Sequence, residues 1–221
     1  MKKLKSSLTN MLAVLTVIAI VAGGVLAFVN ASTEDTIKAI EQKNLEDGLK
    51  VVLLDESATV QKENIDTIYF KGKEPKEGEK PKEDAIQFIA YHTSAGLAVS
   101  TKENGFGGLL TVLVGFDDDG SIKGYKVLKH AETPGLGAKA GDWFQKDGKG
   151  NIIGMNPGKN NFTVSKDGGE VDAITASTIT SRAFLRAIQN AYDKIIAGQD
   201  ATSGATQQAS ASDMGTPEVI E

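Results

Sequence analysis

The sequence predicts an α+β domain, an antiparallel sheet with packed helices, preceded by one N-terminal transmembrane helix. Three observations predict it: an uncharged apolar run near the N-terminus, three short strand-like runs in mid-chain, and an amphipathic helix towards the C-terminal end. They divide the chain into a cytoplasmic end and membrane anchor over 1–31, an exported domain over 32–198 with a charged loop at 71–84, and a disordered tail over 199–221.

The anchor comes first. Lys2, Lys3 and Lys5 precede an uncharged run from Ser6 to Thr33, and its centre, Met11 to Val29, is broken only by Thr16, Gly23 and Gly24. At 1.5 Å per residue such a run matches the roughly 30 Å hydrocarbon core of a bilayer. Lysines before it and Glu34 and Asp35 after it predict a cytoplasmic N-terminus and a domain on the periplasmic side of the inner membrane. A cleaved signal peptide is the other reading, because Val29-Asn30-Ala31 has small residues at a peptidase-compatible spacing. Either reading exports the domain.

Ile37, Ile40, Leu45 and Leu49 then recur at near-helical spacing, with Thr33 and Thr36 as caps and Gly48 as terminator, which predicts a short helix over 33–54. Lys71 to Asp84 is charged and punctuated by Pro and Gly, a solvated loop. Ile86–Tyr91, Leu109–Phe116 and Ile122–Leu128 read as strands, the last two joined by Asp117-Asp118-Asp119-Gly120 as a tight hairpin turn. From Thr180 onward, Phe184, Leu185, Ile188, Ala191, Ile195 and Ile196 form one apolar helical face, with Thr180 or Ser181 as cap and Gly198 as stop. After Gln199 the chain is Ala, Ser, Thr, Gln and Gly with almost no large apolar residue, a disordered tail.

Composition removes several function classes. Of 221 residues, 24 are basic, 29 acidic and none is Cys, so thiol nucleophiles, iron–sulfur ligation and thiolate zinc sites are excluded. Residues 1–31 carry three Lys and no acid, which leaves 21 basic against 29 acidic groups, a net charge of −8 on the exported part. That balance argues against a nucleic-acid partner, which calls for a basic patch.

Two segments carry chemistry. His130-Ala131-Glu132-Thr133-Pro134-Gly135-Leu136-Gly137 leaves the third strand and places two glycines where backbone can approach a flat or anionic ligand. Gly135 to Ala140 also fits G-x-G-x-x-A, but no long helix follows and the parallel βαβ unit is missing, so a dinucleotide fold is rejected. The second segment, Asp172 to Ser181, holds five hydroxyl side chains in the seven residues from Thr175 and directly precedes the amphipathic helix. It reads as a helix N-terminus suited to a phosphate, or as a Thr-rich strand with an ordinary cap.

The pairing of H-x-E-T-P-G-L-G with D-x-x-T-A-S-T (Asp172 to Thr178), behind one membrane helix and the run Gly105-Phe106-Gly107-Gly108, resembles the FMN-binding domain family. Within it, the closer resemblance is to the G subunits of Rnf electron-transport complexes, with the C subunits of the sodium-pumping NADH:quinone reductase as their relatives. The resemblance implies a membrane flavoprotein subunit of an ion-translocating ferredoxin:NAD⁺ oxidoreductase that passes electrons through covalent FMN and is inactive alone. It implies a phosphoester from FMN to Thr178, made by a flavin transferase that reads Asp172, with Thr175, Ala176 and Ser177 between them. Ala176 stands where the family usually has Gly. Glu132, Thr133, Gly135 and Leu136 are implied flavin contacts, with bracing of the loop as the other reading of His130 and Glu132. Its partners would be the other membrane subunits of the complex.

Asp200 to Thr206, D-x-x-S-G-A-T, repeats the pattern in the tail, but no amphipathic helix follows it and no flavin-binding loop leads into it; Thr178 is the expected attachment residue, and Thr206 is a chance match or a minor second site. The equivalent quinone-reductase component and a flavin-free exported scaffold are the alternative readings.

Overall fold

A computed structural model describes residues 8–58, 65–69, 86–93 and 95–198. Lys2, Lys3 and Lys5, the charged loop at 71–84, and the tail with Thr206 lie outside the described residues. The chain divides into two compact units, residues 1–44 and 45–221.

The described residues of the first unit are helical. The helix α1 runs Leu8–Leu53, 46 residues without a break, so the expected new start at Thr33 and stop at Gly48 are both absent. The Thr33 hydroxyl donates back to the carbonyls of Val29 (2.9 Å) and Asn30 (3.3 Å), a bond available inside a continuing helix. No proline interrupts the run. From Met11 to Val29 the side chains are exposed, Leu26 and Phe28 by 71% and 73%, as an anchor awaiting lipid requires.

The second unit is built on a five-stranded antiparallel meander in the order β1 to β5. The strands are β1 (Ile65–Tyr69), β2 (Ile86–Thr93), β3 (Gly96–Asn104), β4 (Leu109–Phe116) and β5 (Ile122–Lys129). Strands β2, β4 and β5 match the three expected runs. Strands β1 and β3 are additional, since Thr-, Ser- and Lys-containing runs such as Ser100-Thr101-Lys102 carry no clean apolar alternation. The β4–β5 connection is the expected turn, closed by Gly120 N–H to the Asp117 carbonyl at 2.9 Å.

Both faces of the sheet are covered. Along β4, Val112, Val114 and Phe116 face one core while Leu113 faces the other, the two-residue alternation of a strand. The smaller core receives the last turns of α1, which belong to this unit, with Leu49, Val52 and Leu53 against Leu113, Tyr91 and Ala98. Here Gly48 is a packing residue: a Cβ on it would stand 2.9 Å from Leu113 Cδ2. Gly115 allows a still closer approach, since a Cβ there would collide with the Val52 carbonyl oxygen.

The larger core holds α3 (Thr178–Ala191), which continues as a π-helical turn over Tyr192–Ile196. Phe184 on α3 stacks on Phe144 at 4.4 Å and meets Tyr125 edge-on at 4.9 Å. The Tyr125 hydroxyl donates to the Ala140 carbonyl at 2.8 Å and accepts from Phe144 N–H at 3.1 Å, which pins the short helix α2 (Ala140–Trp143) to β5. Thr101 on β3 donates to the Ala187 carbonyl at 3.2 Å. The sheet, α2 and α3 therefore form one frame for the segments between them.

Gly115→Ala is expected to lower stability by about 1–3 kcal/mol, the cost of overpacking a filled contact. Gly141→Ala, which has nothing within 4 Å of the added carbon, stays within about 0.5 kcal/mol of the parent. Urea midpoints of the full chain in detergent check both.

Candidate functional site

Three segments distant in sequence meet beside the start of α3. They are the Gly105–Gly108 turn between β3 and β4, the loop from His130 to Gly137 after β5, and the first turn of α3. The turn is closed by Gly105 N–H to the Gly108 carbonyl at 2.8 Å.

Glu132 ties them together. It is 6% exposed, and its Oε1 accepts from Gly107 N–H at 3.0 Å while its Oε2 accepts from the Thr180 hydroxyl at 2.7 Å. Thr180 Oγ1 accepts in turn from the Ser177 hydroxyl at 2.9 Å. Gly137 packs against this chain, and a Cβ there would collide with Glu132 Oε2 and stand 2.8 Å from Thr180 Oγ1. Buried charge is tolerated only when hydrogen-bonded, and these donors meet that requirement. Glu132, implied as a flavin contact, thus has both oxygens engaged inside the protein. Its own N–H donates to His130 Nδ1 at 3.3 Å.

The hydroxyl-rich segment is a turn leading into a helix, not a strand. Ser177 is the N-cap and α3 begins at Thr178, so Thr180 and Ser181, expected as caps, lie inside the first turn. Both are fully buried because their hydroxyls have inward partners: Ser181 accepts from Ile174 N–H at 2.9 Å and donates to the Ser177 carbonyl at 3.0 Å. Ala176 has φ 61°, the left-handed region. A side chain there costs about 1–2 kcal/mol, which gives the physical reason a glycine would suit this position.

Thr178 is half-buried, and its hydroxyl accepts from Lys166 Nζ at 3.4 Å. Lys166 sits on the 3₁₀ turn Ser165–Asp167, whose Asp167 carboxylate accepts from Arg182 Nε and Nη2, each at 2.6 Å. Those hydrogen bonds, with the charge of Arg182, hold the Asp167 carboxyl below the usual carboxylate range. Asp172 is exposed, its Oδ1 accepting from the Ser165 hydroxyl at 3.0 Å and its carbonyl from Trp143 Nε1 at 2.8 Å. Thr175 and Thr133 are exposed, and the Thr133 carbonyl closes its own loop by accepting from Leu136 N–H at 3.1 Å. Gly135 adopts φ 77° at the loop tip.

Two features have no signal in the sequence. Lys166 lies twelve positions from Thr178, too far for spacing to suggest contact. Thr180 carries the local signature of a cap, and its pairing with Glu132 spans 48 positions.

Comparison with known proteins matches the FMN-binding domain family over residues 105–193 and the RnfG N-terminal region over residues 1–52. The chain is 31% identical to the G subunit of the ion-translocating oxidoreductase complex of Shewanella oneidensis, over 80% of this chain and 84% of that protein. It is 32% identical to the G subunit of Vibrio vulnificus over 81% and 85%. The corresponding values for the G subunit of Methanosarcina acetivorans are 27%, 86% and 95%. The chain belongs to the family of ion-translocating oxidoreductase complex G subunits.

A member of this family with an FMN-binding domain needs a place for a flavin, and the residues present fit one. The start of α3 has no side-chain cap on its first amides, and free amides at a helix start favour an anion. Lys166 adds a cation beside them. Exposed Leu136 (41%) and Ile179 (52%) flank this end with apolar surface suited to a flat ring.

Ala176→Val, which forces a β-branched residue into the left-handed region, is expected to destabilise the domain by about 1–2 kcal/mol. Ala176→Gly is expected to unfold no more easily than the parent. Denaturant titration of the three proteins side by side distinguishes these outcomes.

Proposed function

We propose that this membrane-anchored flavoprotein component of an ion-translocating oxidoreductase complex carries its FMN as a phosphoester on Thr178. The observation that carries the reading is the Thr178 hydroxyl, half-exposed on the first residue of α3, with uncapped helix amides and Lys166 Nζ beside it. A phosphodiester at this oxygen would place its negative charge where both the helix dipole and a lysine favour it.

Attachment balances as a phosphoryl transfer. The Thr178 Oγ–phosphorus bond forms, the pyrophosphate bond of a flavin dinucleotide breaks, adenylate leaves and the hydroxyl proton goes to solvent. A flavin transferase performs the step and reads Asp172, whose side chain is exposed for recognition. Thr175 and Ala176 would present the segment, and Thr133, Gly135 and Leu136 would form a loop edge to hold the ring. Glu132 supports that loop from beneath.

Bound FMN supplies one-electron acceptance and release. The protein binds the phosphate, orients the ring and keeps it from diffusing away. Acid–base catalysis has no part in this reading. Electron transfer is therefore this chain's share of a translocase that works only when assembled with the other membrane subunits. Residues 1–31 anchor the chain with its N-terminus cytoplasmic, and residues 32–198 form the flavin domain on the periplasmic side. The lysines before the apolar run and the acids after it support that orientation.

The test is in-gel flavin fluorescence under denaturing conditions, with intact mass, on wild type, Thr178→Ala and Thr206→Ala, each co-expressed with a flavin transferase. Fluorescence and a mass gain of one FMN less water are expected in wild type and Thr206→Ala and lost in Thr178→Ala. Flavin retained by Thr178→Ala and lost by Thr206→Ala moves the attachment to the tail; a colourless wild type removes covalent flavin altogether.

A further inference from the structure

The N-cap of α3 is a serine that does not cap. A serine at this position ordinarily accepts a hydrogen bond from the N–H of the second or third helical residue, here Ile179 or Thr180. Ser177 makes no such bond; its hydroxyl points to Thr180 Oγ1 at 2.9 Å. The first backbone bond of the helix is Ser181 N–H to the Ser177 carbonyl at 3.1 Å, so the preceding amides are left without a capping side chain.

The cause lies 48 positions away. Thr180 gives its proton to Glu132 Oε2 at 2.7 Å, and hydrogen bonds to carboxylates are shorter and stronger than those between neutral groups. With that proton committed, Thr180 Oγ1 is left to accept, and the hydroxyl of Ser177 supplies the donor. Glu132, Ser177 and Thr180 are 6%, 8% and 0% exposed, so little water competes for any of these bonds. Gly105 and Gly137 shape the pocket around the carboxylate: a Cβ on the first would collide with Oε1 and on the second with Oε2.

We propose that Glu132, acting through Thr180, holds the Ser177 hydroxyl away from the first amides of α3 and so keeps that helix end open for the FMN phosphodiester. Glu132 and Thr180 are then positioning residues for flavin loading, set behind Thr178 and touching no flavin themselves. The proposal rests on Thr178 as the attachment residue. Its consequence is that an apolar isostere at 180 releases Ser177 to cap the helix, and the phosphate loses its amides to a neighbouring side chain.

The experiment uses the full chain in detergent with purified flavin transferase, flavin dinucleotide and Mg²⁺, and reads the FMN mass increment against time. Thr180→Val is expected to lower kcat/KM for loading by about tenfold, equivalent to about 1.4 kcal/mol, and Thr180→Ser to restore it. Adding Ser177→Ala to Thr180→Val is expected to bring loading back to within about threefold of wild type, the same conversion giving under about 1 kcal/mol, because no capping hydroxyl remains. A merely structural role for Thr180 would make that double variant worse.

Hydrogen exchange of the Ile179 amide gives a second readout that is independent of loading. It is expected to be unprotected in the unloaded wild type and slowed in Thr180→Val. Wild-type loading by Thr180→Val, a double variant that loads no better than Thr180→Val, or a protected Ile179 amide in the unloaded wild type each overturns the proposal. A wild type that takes no flavin, or a Thr178→Ala chain that takes it as fully as wild type, overturns the attachment reading first and this proposal with it, and those two arms show which has failed.

Discussion

A carboxylate inside a protein is costly unless donors surround it, and that requirement organises this site. Glu132 takes one donor from 25 positions upstream and another from 48 positions downstream. Moving any of the three segments strands a buried charge, a penalty of several kcal/mol. The Gly-Phe-Gly-Gly turn, the loop after β5 and the start of α3 are therefore placed together or not at all. Glycine at 105, 107 and 137 follows from the same demand, since the carboxylate and the loop backbone occupy the space that side chains would fill.

The remainder of the second unit holds that junction still. A five-stranded meander is covered on one face by Leu49, Val52 and Leu53 from the end of α1, and on the other by α3 and the Tyr125–Phe184–Phe144 aromatic group. Tyr125 holds α2, Trp143 on α2 holds the Asp172 carbonyl, and Asp172 opens the hydroxyl-rich turn. The path from the sheet to the start of α3 is thus a short series of directional bonds. Arg182 and Asp167 add an ion pair that keeps the Lys166 turn against α3, and the lowered carboxyl of Asp167 lets that pair persist until the pH falls through its folded value.

The five hydroxyls from Thr175 to Ser181 divide by direction. Thr175 is exposed and Thr178 half-exposed, while Ser177, Thr180 and Ser181 are buried. A helix beginning at Thr178 brings residues three and four apart onto one side, so the Thr178 hydroxyl faces outward and the inward ones are committed to structure. Ala176 in the left-handed region sets the angle at which the turn enters the helix.

The amphipathic face of α3, the apolar anchor and the β4–β5 hairpin are legible in the sequence because periodicity and turn residues are local properties. The two motifs are legible as well, since a Gly-rich loop and a hydroxyl run before a helix stand out from their surroundings. Continuity of α1 is not, because Thr33 and Gly48 carry the same signals whether they end a helix, bond back within it or pack against a sheet. Strands β1 and β3 are hidden by polar residues that break the apolar alternation, and the burial of one of them, Thr101, is decided by the helix packed on the sheet, to which it bonds. Local pattern alone thus marks the anchor, the hairpin, the last helix and the two segments rich in glycine and hydroxyls. That Glu132 faces inward, that Thr180 binds it instead of capping, and that Lys166 reaches Thr178 emerge only on folding, because each is a contact between residues whose separation along the chain leaves no periodic trace.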